Sequence, residues 1–469
     1  MMIDMKEITL KHMIYKVQEQ ARSLQAAQLF SWTKEISSVD MLTVFQNAKQ
    51  LKKDRAFWMN SDNDFALIGI GQADTLIAYQ DRFTEIERQW NELKEDAFIY
   101  NKYNLAGTGL VSLGGMSFDP LRERSSLWEK YPPSQLTIPE VTIANSDGRY
   151  FLTYNHYCYP EDDVENTVHK IEAIENTLLY PTCIKNYPIG QIVASHVVAP
   201  EQWKQTVVQA VNEIKKDRAK KIVLAREMRI TLNRQANITD MLRKLIHTQP
   251  NSYIFAFEQG DNCFIGATPE RLVQVEREKL LSTCLAGTAP RGETRERDAQ
   301  IAREELLENA KNREEHEYVV QMIKQSIEDS CEHIDIPEAP VIYPLRNLQH
   351  LYTPVKAILK PGYSVFDLIK KLHPTPALGG VPTETALAFM REHELLDRGW
   401  YGAPIGWLDS NDISEFAVAL RSGLVQANEV SLFAGCGIMR DSDPEMEFAE
   451  TKMKFLPMLQ VLEESDESY

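Results

Sequence analysis

No uninterrupted apolar run in this 469-residue chain approaches the ~18 residues that a membrane helix needs. The opening stretch, MMIDMKEITLKHMIYKVQEQ, carries charge through every turn and lacks the apolar centre of a secretion signal. The six cysteines, at 158, 183, 263, 284, 331 and 436, contain no CxxC spacing, so zinc and dithiol redox motifs are disfavoured. Free, mostly buried thiols in a reducing cytoplasm are expected instead. Cations are also short: 51 Lys and Arg against 68 Asp and Glu give a net charge of -17. That balance argues against a broad surface for nucleic acid phosphates or anionic lipid, and a small anionic ligand would need local cations or a metal. Internal repeats and low-complexity linkers are absent too. In ALIGIGQAD the third glycine of a nucleotide-binding GxGxxG is missing, so Gly69 and Gly71 read as the end of a strand and its turn. Gly114 and Gly115 in SLGGMSFDP read as a close backbone approach within a sheet.

What is present is an ordinary globular composition, 43% hydrophobic and 25% charged, in a chain long enough for two or three domains or one large interwoven one. Up to about residue 190, helical stretches such as 81–94 alternate with short strand-like runs such as 65–70. From about 195 the helix-like EQWKQTVVQAVNEIKKDRA leads into KKIVLAREMRI, YIFAFEQ, CFIGATPERLVQVE and KLLSTCLAG, a run of short β-segments. A long helical pattern spans 293 to about 332 and is followed by a strand near Pro340 and the loop LHPTPALGGVPTE. After another helix, YGAPIGWLDS, EFAVALRSGLV and EVSLFAGCGI read as three strands.

The densest chemistry lies in GCGIMRDSDPEMEFAE, residues 435–450, where five carboxylates follow a glycine-spaced turn. Asp443 suits a helix N-cap and Pro444 its first turn, which places Glu447 and Glu450 on one face. Paired carboxylates suit magnesium, which keeps several waters and leaves room for an anionic substrate. A solvated acidic helix with Glu450 paired to Lys454 at i,i+4 is the plainer alternative. Glu315 falls on a helical stripe with Tyr318, Val319 and Met322, where a carboxylate needs a cation or metal unless it reaches water from the stripe edge. Lys221 opens KIVLAR, with Val223 and Ala225 on its face. Desolvation there would tune it as a general base, while adjacent Lys220 allows a solvated strand end instead. Glu270 in GATPERL, after a proline at a strand end, suits a general acid with raised pKa, and Arg271 beside it offers a plain salt bridge. Arg421 in VALRSGLV is a lone cation in an apolar strand, a placement suited to bidentate carboxylate recognition.

Taken in order, KIVLAR, GATPERL, AGTAPRG, KNREEH, LHPTPALGG, YGAPIGW, VALRSG and AGCGIMRDSDPEMEFAET resemble the chorismate-utilising enzymes over about residues 195–458. That family includes isochorismate synthases, salicylate synthases and the large subunits of anthranilate and aminodeoxychorismate synthases. The resemblance implies an α+β fold, a single interwoven unit with antiparallel β-sheets forming the core and helices outside. Residues 1–194 would form its variable N-terminal part, 195–458 the chorismate-binding catalytic region, and 459–469 an acidic tail.

By position in these motifs, Glu315 and Glu450 would ligate Mg2+, with Glu447 supporting them. Gly287, Thr288, His350, Ala377, Arg421, Gly435 and Lys454 would contact substrate, so that Lys454 faces chorismate instead of serving as an ion pair. Lys221 would activate water for attack at C2, and Glu270 would protonate the departing C4 hydroxyl. Alanine at 377, where anthranilate synthases carry threonine in a PAGT-type loop, and the presence of Lys221 point toward isochorismate formation with water as nucleophile. The missing LLES-type motif points the same way. The chain length resembles the menaquinone-pathway members, and salicylate synthases and siderophore-pathway isochorismate synthases are the alternatives. Cys436 stands where the family pattern AGAGIV has alanine, with little effect expected. No organic cofactor, amidotransferase subunit, nucleic acid or membrane partner is expected, and a monomer or homodimer in the cytoplasm is.

Overall fold

The computed structural model describes residues 9–180, 189–346 and 348–463, and Cys183 lies outside them. Two large sheets organise the chain, one of twelve strands and one of ten. Among the described residues every strand pairing is antiparallel except that of Gln28–Ile36 with Phe98–Tyr100. The interweaving is literal. Six strands of the larger sheet precede residue 160 and six follow 190, joined where Ile254 of Tyr253–Gln259 lies opposite Met59 of Arg55–Met59. The smaller sheet is joined where Gly406 of Pro404–Asp409 lies opposite Gly114 of Val111–Met116.

The sheets face each other across an aromatic layer that includes Trp58, Phe255 and Phe264 from one and Leu113, Ile405 and Trp407 from the other. Trp128, Tyr131 and Trp400 fill the space between them. Burying a side chain such as Phe264 there contributes about 1.5–3 kcal/mol. Helices cover the outer faces. Leu10–Leu24, Val164–Leu179, Ile238–Thr248 and the end of Pro444–Leu462 pack on the larger sheet, while Arg82–Asp96, Ala310–Ile327 and Val365–Leu372 cover the smaller one. The anticipated glycine roles hold: Gly71 turns the chain at φ +69°, and a Cβ on Gly114 would lie 2.0 Å from the Gln135 carbonyl oxygen.

Several boundaries differ from the sequence reading. The long helix expected over 293–332 is broken into Arg295–Ile301, a π-helical turn Ala302–Leu307, and Ala310–Ile327, because Asn309 caps the last by accepting from the Asn312 N–H. Residues 331–335 then form a strand. EFAVALRSGLV is not one strand but two, Ile413–Val418 and Ser422–Gln426, which belong to different sheets. Of the two readings given to GCGI, strand and turn, the strand holds: Gly435, Cys436 and Gly437 lie inside Glu429–Ile438. The C-terminal helix runs to Leu462, with Val461 and Leu462 buried, so residues 459–462 are part of the packed structure. The cysteines at 158, 263, 284, 331 and 436 are free and buried, and no helix among the described residues is long and apolar enough to cross a membrane.

Candidate active site

A cavity of about 560 Å³, well within the range of small-molecule sites, opens between strands of both sheets. All twelve residues singled out from the sequence line it: Lys221, Glu270, Gly287, Thr288, Glu315, His350, Ala377, Arg421, Gly435, Glu447, Glu450 and Lys454.

Lys221 precedes the strand Ile222–Leu232 and is held by a backbone bridge to Val381. Period-2 alternation puts Lys221, Val223 and Ala225 on the cavity wall, as the pattern anticipates. The neighbouring strand passes directly under the lysine. Val223 pairs with Gly437, and a Cβ at Gly437 would lie 2.5 Å from Lys221 Cε. Gly437 is therefore a clearance residue that the sequence reading missed; its spacing from Gly435 within a strand is the one available signal. Lys221 Nζ donates to Glu315 Oε1 at 2.7 Å.

Glu270 and Arg421 owe their positions to a paired crossing between the sheets. Asn262–Thr268 and Ser422–Gln426 are neighbours in the larger sheet, and Arg271–Glu276 and Ile413–Val418 are neighbours in the smaller one. Glu270 and Arg421 sit on the two connecting segments. The segments are stitched together by the Val418 N–H to the Glu270 carbonyl at 2.9 Å, Thr268 Oγ1 to the Val418 carbonyl at 2.6 Å, and the Ala267 N–H to the Arg421 carbonyl at 3.1 Å. Arg421 adopts φ +47°, unusual for a non-glycine residue, so it is a crossing residue and not part of a strand. Among the described residues its guanidinium makes no hydrogen bond or ion pair with protein, although burial pulls its pKa down to about 10. Burial also raises the Glu270 carboxyl to about 7, against the opposing pull of Lys221, Arg421 and Lys454. Arg271 turns away and pairs with buried Glu415 at 3.1 Å, which also accepts from Tyr253.

The acidic groups come from two helices. Asp443 caps Pro444–Leu462 by accepting from the Glu445 and Met446 amides, and Glu445 pairs with Lys204 at 2.7 Å. Glu447 and Glu450 face the cavity from the first turns. The Lys454 ammonium bonds Glu450 at 2.8 Å and the Gly435 carbonyl at 2.9 Å. The i,i+4 ion pair thus does form, contrary to the expectation that Lys454 only faces a ligand, because four residues of helix bring the two side chains together while the lysine still lines the cavity. Glu315 does not lie within its helix's apolar stripe. His316, Val319, Val320, Ile323 and Ile327 are buried while Tyr318 is exposed, so Glu315 stands at the stripe edge. Burial works against its charge, but Lys221 outweighs this and holds the carboxyl below its ordinary value.

A hard cation is compatible with this donor set. Glu447 Oε1 accepts from Ser442 at 2.6 Å, but its Oε2 is buried with no partner among the described residues. Among the described residues no three His, Cys, Asp or Glu side chains converge into a ready cage. Magnesium does not need one, since it binds through one or two carboxylates, water and substrate oxygens. Glu315 and Glu450, with Glu447 beside them, are in keeping with that mode.

Opposite them, Gly287 bulges at φ +72° in Lys279–Pro290 and brings Thr288 beside His350 of Leu348–Leu359. His350 Nδ1 lies 3.1 Å from the Gly287 carbonyl and 3.1 Å from Thr288 Oγ1, while its buried Nε2 has no partner. Burial first, then the charges of Arg421 and Lys454, push its pKa down to about 3, so the ring is neutral. A carbonyl only accepts, so Nδ1 carries the proton and Nε2 presents a lone pair. Ala377 and Leu378 close the wall from the short helix Pro376–Gly379.

The family model for "Chorismate binding enzyme" matches residues 15–463. The chain belongs to the chorismate-binding enzyme family. Among its relatives, isochorismate synthase MenF of Bacillus subtilis is 37% identical over 98% of this chain and 99% of its own length. The salicylate biosynthesis isochorismate synthase of Pseudomonas aeruginosa is 34% identical over 94% of this chain and 92% of its own. Among solved structures, the menaquinone-specific isochorismate synthase MenF from Escherichia coli superposes with a TM-score of 0.78 at 24% identity, covering 96% of this chain and all of that one. This chorismate-binding enzyme therefore shares its fold across both halves, and the match is not confined to residues 195–458. The sequence reading also missed Lys311, Asn312, Arg398 and Tyr401, which line the same cavity, although Lys311 and Asn312 open KNREEH and Tyr401 opens YGAPIGW.

Proposed function

We propose that this chain is an isochorismate synthase, converting chorismate to isochorismate reversibly, in the menaquinone pathway. One observation carries the reading: a buried carboxylic acid with pKa about 7, Glu270, shares a cavity with a primary amine, Lys221, and a partnerless guanidinium, Arg421. Such a cavity takes a dianion, places an acid able to be protonated at neutral pH on a leaving hydroxyl, and holds an amine for the nucleophile. The near full-length likeness to a relative named MenF supports the pathway.

In this mechanism Lys221 removes a proton from the water that attacks C2, and the ring double bonds shift. Glu270 gives its proton to the C4 oxygen, which leaves as water. Protons and electrons balance, no redox cofactor is consumed, and in reverse the two residues exchange roles. Arg421 and Lys454 hold substrate carboxylate charge, Gly287, Thr288 and Gly435 shape the backbone around it, and Ala377 keeps the wall small. His350 Nε2 accepts from a ring hydroxyl. Glu315 and Glu450, with Glu447 supporting them, would hold Mg2+, which would supply positive charge to offset the substrate's carboxylate. The region 195–458 provides every one of these groups and 1–194 the supporting strands.

Incubation of the purified protein with chorismate and magnesium, followed by chromatography, tests the reading. Isochorismate approaching a fixed ratio with chorismate from either direction is expected. Salicylate and pyruvate accumulating at the rate of chorismate loss would identify a salicylate synthase, and anthranilate formed with ammonium would identify an ammonia-using member.

A further inference from the structure

The strand that carries Lys221 is short of a neighbour. Along one edge Ile222–Leu232 pairs throughout with Glu429–Ile438, but along the other Ile192–Val197 reaches only Met228–Leu232. The open edge beside the cavity is closed by the backbone bridge of Lys221 to Val381 and, beyond it, by side chains. Arg398 Nη2 donates to the Val223 carbonyl at 2.9 Å, Glu394 Oε2 accepts the Ala225 N–H at 2.7 Å, and Trp203 Nε1 donates to the Ala225 carbonyl at 3.1 Å. Arg398 and Glu394 are also paired to each other through two bonds of 2.6 and 2.7 Å, with side chains only 4% and 3% exposed. A further Arg398 bond, Nη1 to the Leu378 carbonyl at 3.4 Å, joins the strand to the segment that carries Ala377.

The geometry points to the Glu394–Arg398 pair as a positioning element for the reaction, resting on the reading of Lys221 as base. The pair stands in for the missing strand: one member supplies a donor and the other an acceptor to alternate residues of the same edge. It thereby fixes the base-bearing strand relative to the Ala377 wall. An ion pair this buried is a poor source of net stability compared with apolar packing, so a positioning use accounts for charge where leucine would serve the core. The pair bonds the backbone at Val223, Ala225 and Leu378 and, although Arg398 also lines the cavity, its effect on the chemistry is assigned to where Lys221 is held.

The test is a kinetic double-mutant cycle with Arg398→Lys, Lys221→Ala and the double variant, assayed on chorismate with magnesium. Lysine keeps the charge opposite Glu394 but cannot span Val223 and Leu378 together. Arg398→Lys is expected to lower kcat about 10- to 100-fold with KM within about threefold, since small misplacement of a catalytic group costs on this scale. In the Lys221→Ala background the same change should cost no further turnover, because the group being positioned is gone. Wild-type kcat in Arg398→Lys, or losses that multiply in the double variant, overturn the positioning role and leave the base assignment standing. Wild-type turnover in Lys221→Ala overturns the base assignment itself. If Arg398→Lys does not fold, Glu394→Gln, which keeps an acceptor for Ala225 but drops the charge, is run through the same cycle with the same expected and refuting results.

Discussion

Glu270→Gln separates the catalytic value of the Glu270 carboxyl from its stability cost. In place the group has a pKa of about 7 against an ordinary 4.5, chiefly through burial. The sign follows from proton counting: between those values the folded state binds the proton and the unfolded state does not, so stability falls as pH rises through this window. At about 1.4 kcal/mol per pH unit, the wild-type protein forgoes roughly 3 kcal/mol at pH 8 that it retains at pH 4.5. Glutamine is isosteric and never charged. The variant should therefore match wild type near pH 4.5 and exceed it by up to about 3 kcal/mol at pH 8, while losing about 10²- to 10⁴-fold in kcat for want of a general acid. For a chain of this length the stability gain corresponds to about 3 °C in Tm. Thermal and urea unfolding at pH 4.5, 6 and 8 measure the gap, and chorismate turnover is followed on the same samples. A gap that is constant with pH, or that closes as pH rises, refutes the burial of an ionisable acid at this position.

Three further outcomes are expected. Gly437→Ala should lower kcat about tenfold with KM near wild type, as the new methyl displaces the Lys221 stem; steady-state kinetics with a Tm control check this. Arg421→Lys should raise KM for chorismate about 10- to 100-fold by replacing a planar fork with a single ammonium, read from initial rates over substrate concentration. Glu450→Gln should raise the magnesium needed for half-maximal rate by at least about tenfold, with a matching loss of Mg2+ affinity by calorimetry.

How far the sequence could be read depended on whether the governing interaction was local. The alternation that turns Lys221, Val223 and Ala225 to one side, and the Asp443–Pro444 cap that aims Glu447 and Glu450, are set within a few residues and were legible. The Glu450–Lys454 pair is equally local, yet the family pattern drew attention from it. Arg421 was read as suited to carboxylate recognition but placed within a strand, because VALRSGLV keeps an apolar pattern straight through the switch of sheets and only the positive φ marks it. The break at Asn309 was hidden by a helical pattern that continues on both sides. Glu394 and Arg398 in EHELLDRGW look like solvated charges, and only the shortfall of a strand neighbour far away in the chain gives them a role.

The paired crossing has a mechanical consequence. Glu270 and Arg421, the proposed acid and carboxylate anchor, are each strung between both sheets, so any slip of one sheet over the other drags them together and preserves their mutual spacing. Lys221, the proposed base, by contrast leads into a strand of the larger sheet alone. Shear between the layers would thus retune the distance from Lys221 to Glu270 while Glu270 and Arg421 keep their spacing. Trp128 and Trp400, which fill the space between the layers, are the side chains whose substitution would change that register.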